Sequence, residues 1–255
     1  MEAALKAGEA ILKVYASAIT VEYKSDRSPL TEADKNAHAV IYSFLEKTAL
    51  PVLSEEGKEI PFEVRKQWEK FWMVDPLDGT KEFIRRNGEF TVNIALIENS
   101  APELGVVYVP VQDLLFAAEV STQKFYRLEN AKLNWVPFSK NPEQFRHTGK
   151  MNGTNSFRIV ASRSHQSTET LQFIEAMKRE YPQVELVSAG SSLKICMLAD
   201  GRADIYPRFA PTMEWDTAAG HALLKAVGKN LMAYPSNHEL QYNKPDLLND
   251  WFIAK

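Results

Sequence analysis

Val74-Asp75-Pro76-Leu77-Asp78-Gly79-Thr80-Lys81-Glu82-Phe83 is the stretch on which the reading of this chain turns. It follows Phe71-Trp72-Met73-Val74, a short apolar run that predicts a buried strand. Asp-Pro and Asp-Gly then signal turns, with a hydroxyl after them. Two carboxylates three residues apart at a strand end can aim at one point. Hard cations such as Mg²⁺ take oxygen ligands in that arrangement. A second acidic pair, Glu55-Glu56, follows another apolar run, Val52-Leu53. Spacing alone favours the plainer alternative, a tight turn built from Asp75, Pro76, Asp78 and Gly79, because short motifs recur by chance. The rest of the chain has to decide.

With 255 residues the chain can build one large domain or two modest ones. Hydrophobic residues make up 45% and charged residues 25%, which predicts a folded globular protein. A net charge of −3 argues against a nucleic-acid partner. The single cysteine, Cys196, excludes an intramolecular disulfide and a cysteine-based zinc site, and its apolar setting predicts a packed thiol. No apolar run is long enough for a transmembrane segment. Glu2, Lys6, Glu9 and Lys13 interrupt any signal-peptide core. The expectation is a cytoplasmic protein, free or peripheral on the cytoplasmic face of the inner membrane, of undetermined oligomeric state.

Leu5, Ile11, Leu12, Tyr15 and Ile19 share one stripe of a first helix. Residues 21–23 read as extended and 25–28 as loop. Thr31 reads as the N-cap of a second helix, with Glu32 and Asp34 in its first turn and Ala33, Ala37, Val40, Ile41, Phe44 and Leu45 on its apolar face. Asp34 on this reading complements the helix dipole. Phe90, Val92, Ile94 and Leu96 alternate with Thr91, Asn93 and Ala95. Further strands are predicted at 104–109, 114–118 and 124–128, with turns at 99–102 and 110–113. Short turns between successive strands predict an antiparallel meander in the first half. Residues 129–156, with Pro142 and Asn152-Gly153, read as a loop-rich connection. Beyond it, strands at 157–161, 184–187, 203–206 and near Leu231 alternate with helices at 168–179, 191–198 and 216–227, which predicts a mixed α/β second half. The expected division is 1–150, carrying most metal ligands, and 151–255, carrying substrate-binding residues and the last ligand.

Asp75-Pro76-Leu77-Asp78-Gly79-Thr80 resembles the D-P-(I/L)-D-G-T signature of the inositol monophosphatase superfamily, Mg²⁺-dependent and lithium-sensitive phosphatases. Glu214-Trp215-Asp216-Thr217-Ala218-Ala219-Gly220 is similar to its second signature, and Glu55-Glu56 to the acidic pair expected upstream. Three motifs in order are far more specific than one, and they overturn the turn reading. Ser162-Arg163-Ser164-His165, Gly190-Ser191-Ser192-Leu193-Lys194 and Tyr206-Pro207-Arg208-Phe209 resemble the CysQ-type 3′(2′),5′-bisphosphate nucleotidases within that superfamily. The likeness is thinnest over 121–156 and after 230. Ala210 stands where glycine is expected, a departure that touches no ligand position.

The resemblance implies a layered αβαβα sandwich of the inositol monophosphatase/sugar phosphatase type and two or three Mg²⁺ ions. Glu55, Asp75 and the Leu77 carbonyl would hold the first ion, and Asp75, Asp78 and Asp216 the second. Thr80, relayed by Asp34, would take the proton of the attacking water, with Glu55 close by. Backbone N–H groups of Gly79 and Thr80 would receive the scissile phosphate. Ser191, Lys194 and Arg208 would bind a second phosphate, and His165 would contact the nucleotide. Lys81 and Arg85 read as solvated surface charges. Trp215 would pack the loop presenting Asp216, and Tyr206 and Phe209 would be packing residues. The implied reaction is hydrolysis of the 3′-phosphate of adenosine 3′,5′-bisphosphate to AMP and phosphate, in support of sulfate assimilation. Two rivals remain at this point: an inositol or sugar monophosphatase of the same fold, and a non-catalytic nucleotide or metal sensor.

Overall fold

The computed structural model describes residues 1–17, 20–23, 29–134, 156–161 and 167–255. The expected loop at 25–28, Ile19, most of the 129–156 connection, and the 162–165 segment with His165 lie outside these residues. The first half contains α1 (Glu2–Tyr15), β1 (Val21–Tyr23), β2 (Pro29–Thr31), α2 (Glu32–Leu45), β3 (Val52–Ser54), α3 (Phe62–Arg65) and β4 (Lys70–Asp78). It continues with α4 (Thr80–Ile84), β5 (Thr91–Glu98), β6 (Ala101–Val109), β7 (Leu114–Glu119), β8 (Lys124–Glu129) and α5 (Ala131–Asn134). The second half contains β9 (Phe157–Ala161), α6 (Thr168–Glu180), β10 (Val184–Ser188) and α7 (Leu193–Ala199). It ends with β11 (Tyr206–Arg208), α8 (Glu214–Ala226), β12 (Leu231–Ala233) and β13 (Phe252–Ala254).

β3 to β8 form one six-stranded sheet in sequence order. β4 to β8 are the antiparallel meander that the short turns predict, and β3 adds in parallel to β4. The second sheet joins the parallel pair β10–β9 to β11–β13–β12 through a parallel bridge between Ile159 and Ile205. α1 and α2 cover one face of the first sheet, burying Ile11, Ala37 and Ile41 against Val74, Val92 and Tyr108. α7 and α8 fill the space between the sheets, and Ile174 of α6 packs on the far side of the second sheet with Ile159 and Ile205. The layers therefore run α, β, α, β, α. Cys196 lies buried between the sheets, a packed thiol as its neighbours predict.

The two halves share one core. Ala218, Ala219 and Leu223 of α8 pack with Phe71, Ala95 and Val107 of the first sheet. Gly105 permits this approach: a Cβ there would sit 2.3 Å from the Ala219 carbonyl oxygen and 2.8 Å from the Ala222 Cβ. β5 is the strand that the alternation predicts, and every residue of it except Glu98 is buried. α8 supplies the cover on the second face. The turn expected at 99–102 is confined to Asn99 and Ser100, both with φ in the left-handed region, and β6 begins at Ala101. The strand expected at 203–206 is displaced to 206–208. β13 carries no hydropathy pattern long enough to betray it; its place is set by pairing with β11 and β12.

Candidate active site

The Asp-Pro-Leu-Asp segment continues a strand instead of forming the turn that Asp-Pro suggests. Asp75 pairs with Asn93 and Asp78 with Thr91, so one extra residue is accommodated on β4. Pro76 sits in this bulge, where its missing N–H costs no ladder bond. The bulge has a chemical consequence. In a regular strand, residues three apart point to opposite faces. The extra residue returns Asp78 to the side of Asp75, facing Thr91, Asn93 and the α8 layer. Gly79 follows with φ of 91°, a conformation that disfavours a Cβ, and turns the chain into α4.

Asp216 comes from the third position of α8. Its Oδ2 accepts the Met213 backbone N–H at 2.8 Å, closing the helix N-terminus. The neighbouring Glu214 is fully buried and accepts from the backbone N–H of Asn243 and of Lys244 and from Lys244 Nζ. Buried Arg65 donates to Asn243 Oδ1 and to the carbonyls of Ile60, Lys244 and Pro245. Two distant loops are thereby tied to the start of α8. Half-buried Trp215 packs against the core beside them.

One carboxylate oxygen from each of Asp75, Asp78 and Asp216 falls within 4.8 Å of the others. Each of the three has one oxygen already held. Asp75 Oδ1 accepts the Leu77 N–H at 3.0 Å. Asp78 Oδ2 accepts the Ser192 N–H and faces the Ser191 and Ser192 hydroxyls, all at 2.7 Å. Asp216 Oδ2 is held as described. The other oxygen of each accepts no hydrogen bond among the described residues. No lysine or arginine forms an ion pair with any of the three among the described residues. Burial, then the charges of Glu55, Asp78 and Asp216, push the Asp75 carboxyl well above the ordinary range. Burial and Asp78 do the same to Asp216. A cluster of like charges with hard oxygen donors and no ion-paired lysine or arginine among the described residues suits a divalent cation. Glu55 follows β3, its N–H bonded to the Val74 carbonyl, close enough to act on Asp34, Asp75 and Asp216. The Leu77 carbonyl faces the Thr80 hydroxyl at 3.4 Å.

Asp34 does two things at once. Its Oδ2 accepts both the N–H (2.7 Å) and the hydroxyl (2.6 Å) of Thr31, as an N-terminal helix residue should. Its Oδ1 lies 3.4 Å from the Thr80 hydroxyl, longer than a settled O–H···O bond. Burial raises its pKa, the Thr31 bonds opposing.

Asp78 and Asp216 line a cavity of about 300 Å³ together with Gly79, Ser191, Lys194 and Arg208. Lys194 is buried, its Nζ 3.3 Å from the Ala189 carbonyl, and burial lowers its pKa to about 8. Arg208 donates to the Pro211 carbonyl at 3.0 Å, while its Nε has no partner among the described residues. Ser191 lines this cavity too, but its hydroxyl is engaged by the protein. With φ of 51° it directs its hydroxyl to Asp78 and to Thr91, at 2.7 and 2.6 Å. The α7 N-terminus thus receives a carboxylate of this chain. Tyr206 and Phe209 are buried packing residues.

Residues not picked out from the sequence complete the site. Asn93 donates to Ser192 Oγ at 2.9 Å, and the Thr91 hydroxyl lies 2.9 Å from Asn93 Oδ1. Two polar residues two apart in an apolar strand are the signal that could have marked them. Lys81 and Arg85 are exposed, as expected, and they also line the same cavity as Lys194 and Arg208.

Comparison with known proteins places the whole chain in one family. The inositol monophosphatase family matches residues 1–251. The chain is 43% identical over 232 residues to a 3′(2′),5′-bisphosphate nucleotidase CysQ of Shigella flexneri, covering 89% of this chain and 86% of that one. It is 39% identical to its counterpart from Buchnera aphidicola, covering 98% and 90% of the two chains. The crystal structure of CysQ from Bacteroides thetaiotaomicron, a bacterial member of the inositol monophosphatase family, superposes with a TM-score of 0.90 at 49% identity, covering 99% of this chain and 94% of that one. Fold, motif order and extent of match agree, and the chain belongs to the inositol monophosphatase family.

Proposed function

We propose that this protein is a Mg²⁺-dependent phosphomonoesterase that removes the 3′-phosphate of adenosine 3′,5′-bisphosphate, giving AMP and phosphate. The observation that carries the reading is the meeting on one cavity of Asp78 and Asp216, two members of the three-aspartate cluster, with the cations Lys194 and Arg208. The names of the relatives point to the same substrate class. The biological role that follows is disposal of the nucleotide left by sulfate activation and transfer, in support of sulfate assimilation.

Asp75, Asp78, Asp216, Glu55 and the Leu77 carbonyl would hold Mg²⁺. The bound metal would supply charge neutralisation for the phosphoryl oxygens and acidify water. The chain's own contribution is proton handling and positioning. Thr80 Oγ1 would receive a proton from the attacking water while passing its own to Asp34 Oδ1. The raised pKa of buried Asp34 makes it a better acceptor than a surface carboxylate. Catalytic hydrogen bonds commonly tighten once substrate is present, which accommodates the 3.4 Å separation. The N–H groups of Gly79 and Thr80 would orient the scissile phosphate. Lys194 and Arg208 would hold the phosphate that is not cleaved. Ser191 adjoins that place, but its hydroxyl serves Asp78.

Inositol 1-phosphate has no second phosphate for Lys194 and Arg208, which favours the nucleotide. A sensor would have no use for the Thr80–Asp34 contact. Phosphate release with Mg²⁺ should be compared for adenosine 3′,5′-bisphosphate, 2′-AMP and inositol 1-phosphate. Fastest turnover of the bisphosphate is expected. Faster turnover of inositol 1-phosphate would sink the substrate assignment, and no turnover of any of them with metal bound would favour a sensor.

A further inference from the structure

α4 is anchored from its inner side. Phe83 is fully buried and meets Tyr15 and Phe90, with ring centroids 5.2 Å away in both cases. Lys81 and Arg85, one helical turn apart, then fall together on another side of the helix and line the catalytic cavity. Neither side chain forms an ion pair or a hydrogen bond among the described residues. The next residue shows the contrast: Arg86 donates to the carbonyls of Tyr15 and Ser17 and lies over the Tyr15 ring. Elsewhere on the surface Lys6, Lys35, Lys66, Lys70 and Lys178 each have a glutamate.

The charge balance of the cavity makes this pair informative. Lys81, Arg85, Lys194 and Arg208 face Asp78, Glu82 and Asp216. Two divalent ions would neutralise Glu55, Asp75, Asp78 and Asp216 together, and Glu82 acts electrostatically on Lys194. The loaded cavity is then strongly cationic, with Lys81 and Arg85 its least compensated members. With the Ser191 hydroxyl held by Asp78, the expected second-phosphate set is one donor short.

The geometry points to the outer turn of α4 as a second cationic wall of the substrate cavity, in which Lys81 and Arg85 bind the dianionic group that is not cleaved. This inference rests on the nucleotidase reading and makes the two residues specificity determinants for bis-anionic nucleotides. Arg85, with its planar set of donors, is the stronger of the two.

The test uses Lys81→Ala, Arg85→Ala, Arg85→Lys and the double alanine variant. Both side chains are exposed, so the fold should survive. Steady-state kinetics would be measured with adenosine 3′,5′-bisphosphate and with 2′-AMP. Calorimetry would measure binding of 5′-AMP, whose only phosphate is the one not cleaved. The double variant should raise KM for the bisphosphate about tenfold, with kcat changed less than about twofold and KM for 2′-AMP raised less than about threefold. Affinity for 5′-AMP should fall by the same factor as for the bisphosphate, and Arg85→Lys should recover part of it. Equal losses on both substrates, or unchanged 5′-AMP affinity, would overturn the assignment. If the wild-type protein does not hydrolyse the bisphosphate, the nucleotidase reading fails by itself, and the 5′-AMP titration still decides the wall.

Discussion

Replacing Asp75 by Asn should make the metal-free protein more stable and the enzyme inactive. Asp75 is 1% exposed, and its carboxylate lies within 4.8 Å of ligand oxygens from Asp78 and Asp216. Two unit charges at that distance repel by about 3.5 kcal/mol at an effective dielectric of about 20. Protonation relieves part of this, because burial and its acidic neighbours already hold the Asp75 carboxyl well above its usual value. A net gain of about 2 kcal/mol for the neutral amide is reasonable. The amide is nearly isosteric and keeps an oxygen for the Leu77 N–H. In a protein of this size the gain corresponds to a melting temperature raised by about 4–8 °C in EDTA. Mg²⁺ should stabilise the wild type, since a ligand binding only the folded state adds stability by mass action. It should raise the variant's melting temperature less than half as much, and phosphate release should fall about a thousandfold.

The pH dependence carries a sign that checks the same argument. A carboxyl whose folded pKa is raised binds more protons in the folded state than in the unfolded one. The metal-free wild type therefore loses stability as pH rises from the ordinary carboxyl value of 3.8 through the raised folded value. Asp75→Asn should remove part of that loss, so its advantage in EDTA should grow with pH over this window. Thermal melts from pH 4 to 8, with EDTA or with Mg²⁺, are the assay. A metal-free variant that melts at or below the wild type near pH 7, or gains as much from Mg²⁺, would refute the account of the cluster as uncompensated repulsion awaiting a cation.

Ser192→Ala should leave the Asn93 amide without its 2.9 Å partner and loosen Asp78, costing about 1–3 kcal/mol. The Mg²⁺ concentration for half-maximal activity should rise about tenfold, and an unchanged metal dependence would count against it. Lys194→Ala should raise KM for the bisphosphate about tenfold and for 2′-AMP much less. In the wild type the same KM should climb above about pH 8, as the buried ammonium loses its proton, with no such rise in the variant. The stability sign at Lys194 is the reverse of that at Asp75: its depressed pKa is a cost near neutrality that is relieved between about 8 and 10.5. Arg65→Ala should destabilise by about 3 kcal/mol or more by releasing four hydrogen bonds to the 60 and 243–245 segments, with no rescue by Lys. A melting temperature within about 2 °C of wild type would argue against this brace.

Much of the scaffold was legible because it follows from local rules. The Thr31 cap, the apolar face of α2 and the meander of β4 to β8 each depend on residues close together in the chain. Asp34 shows the limit of such rules. Its capping role is local and correct, but its approach to Thr80 exists only because α2 and β4 pack together. Pro76 and Asp78 show another limit. Turn chemistry at Asp-Pro is a fair expectation, yet the pairing of Asp75 with Asn93 and Asp78 with Thr91 turns the segment into a bulged strand. Thr91 and Asn93 show in the sequence only as the polar members of an alternation; α8 and α7 bury them in the site.

The order and chemistry of the motifs were determined by the sequence alone. Asp75, Asp78 and Asp216, Glu55 upstream, and the Gly190-Ser191-Ser192 turn were identifiable as oxygen donors and anion-recognition elements without coordinates. Tertiary structure decided which oxygen of each aspartate the protein itself engages, that Ser191 serves Asp78, and that Lys81 and Arg85 face the cavity. The reason is physical. Residue type and spacing fix what a side chain can donate or accept, whereas its availability depends on burial and on partners far away in the chain. Residues 190–192 and 214–216 reach the bulge of β4 only when the sheet, α7 and α8 close one core.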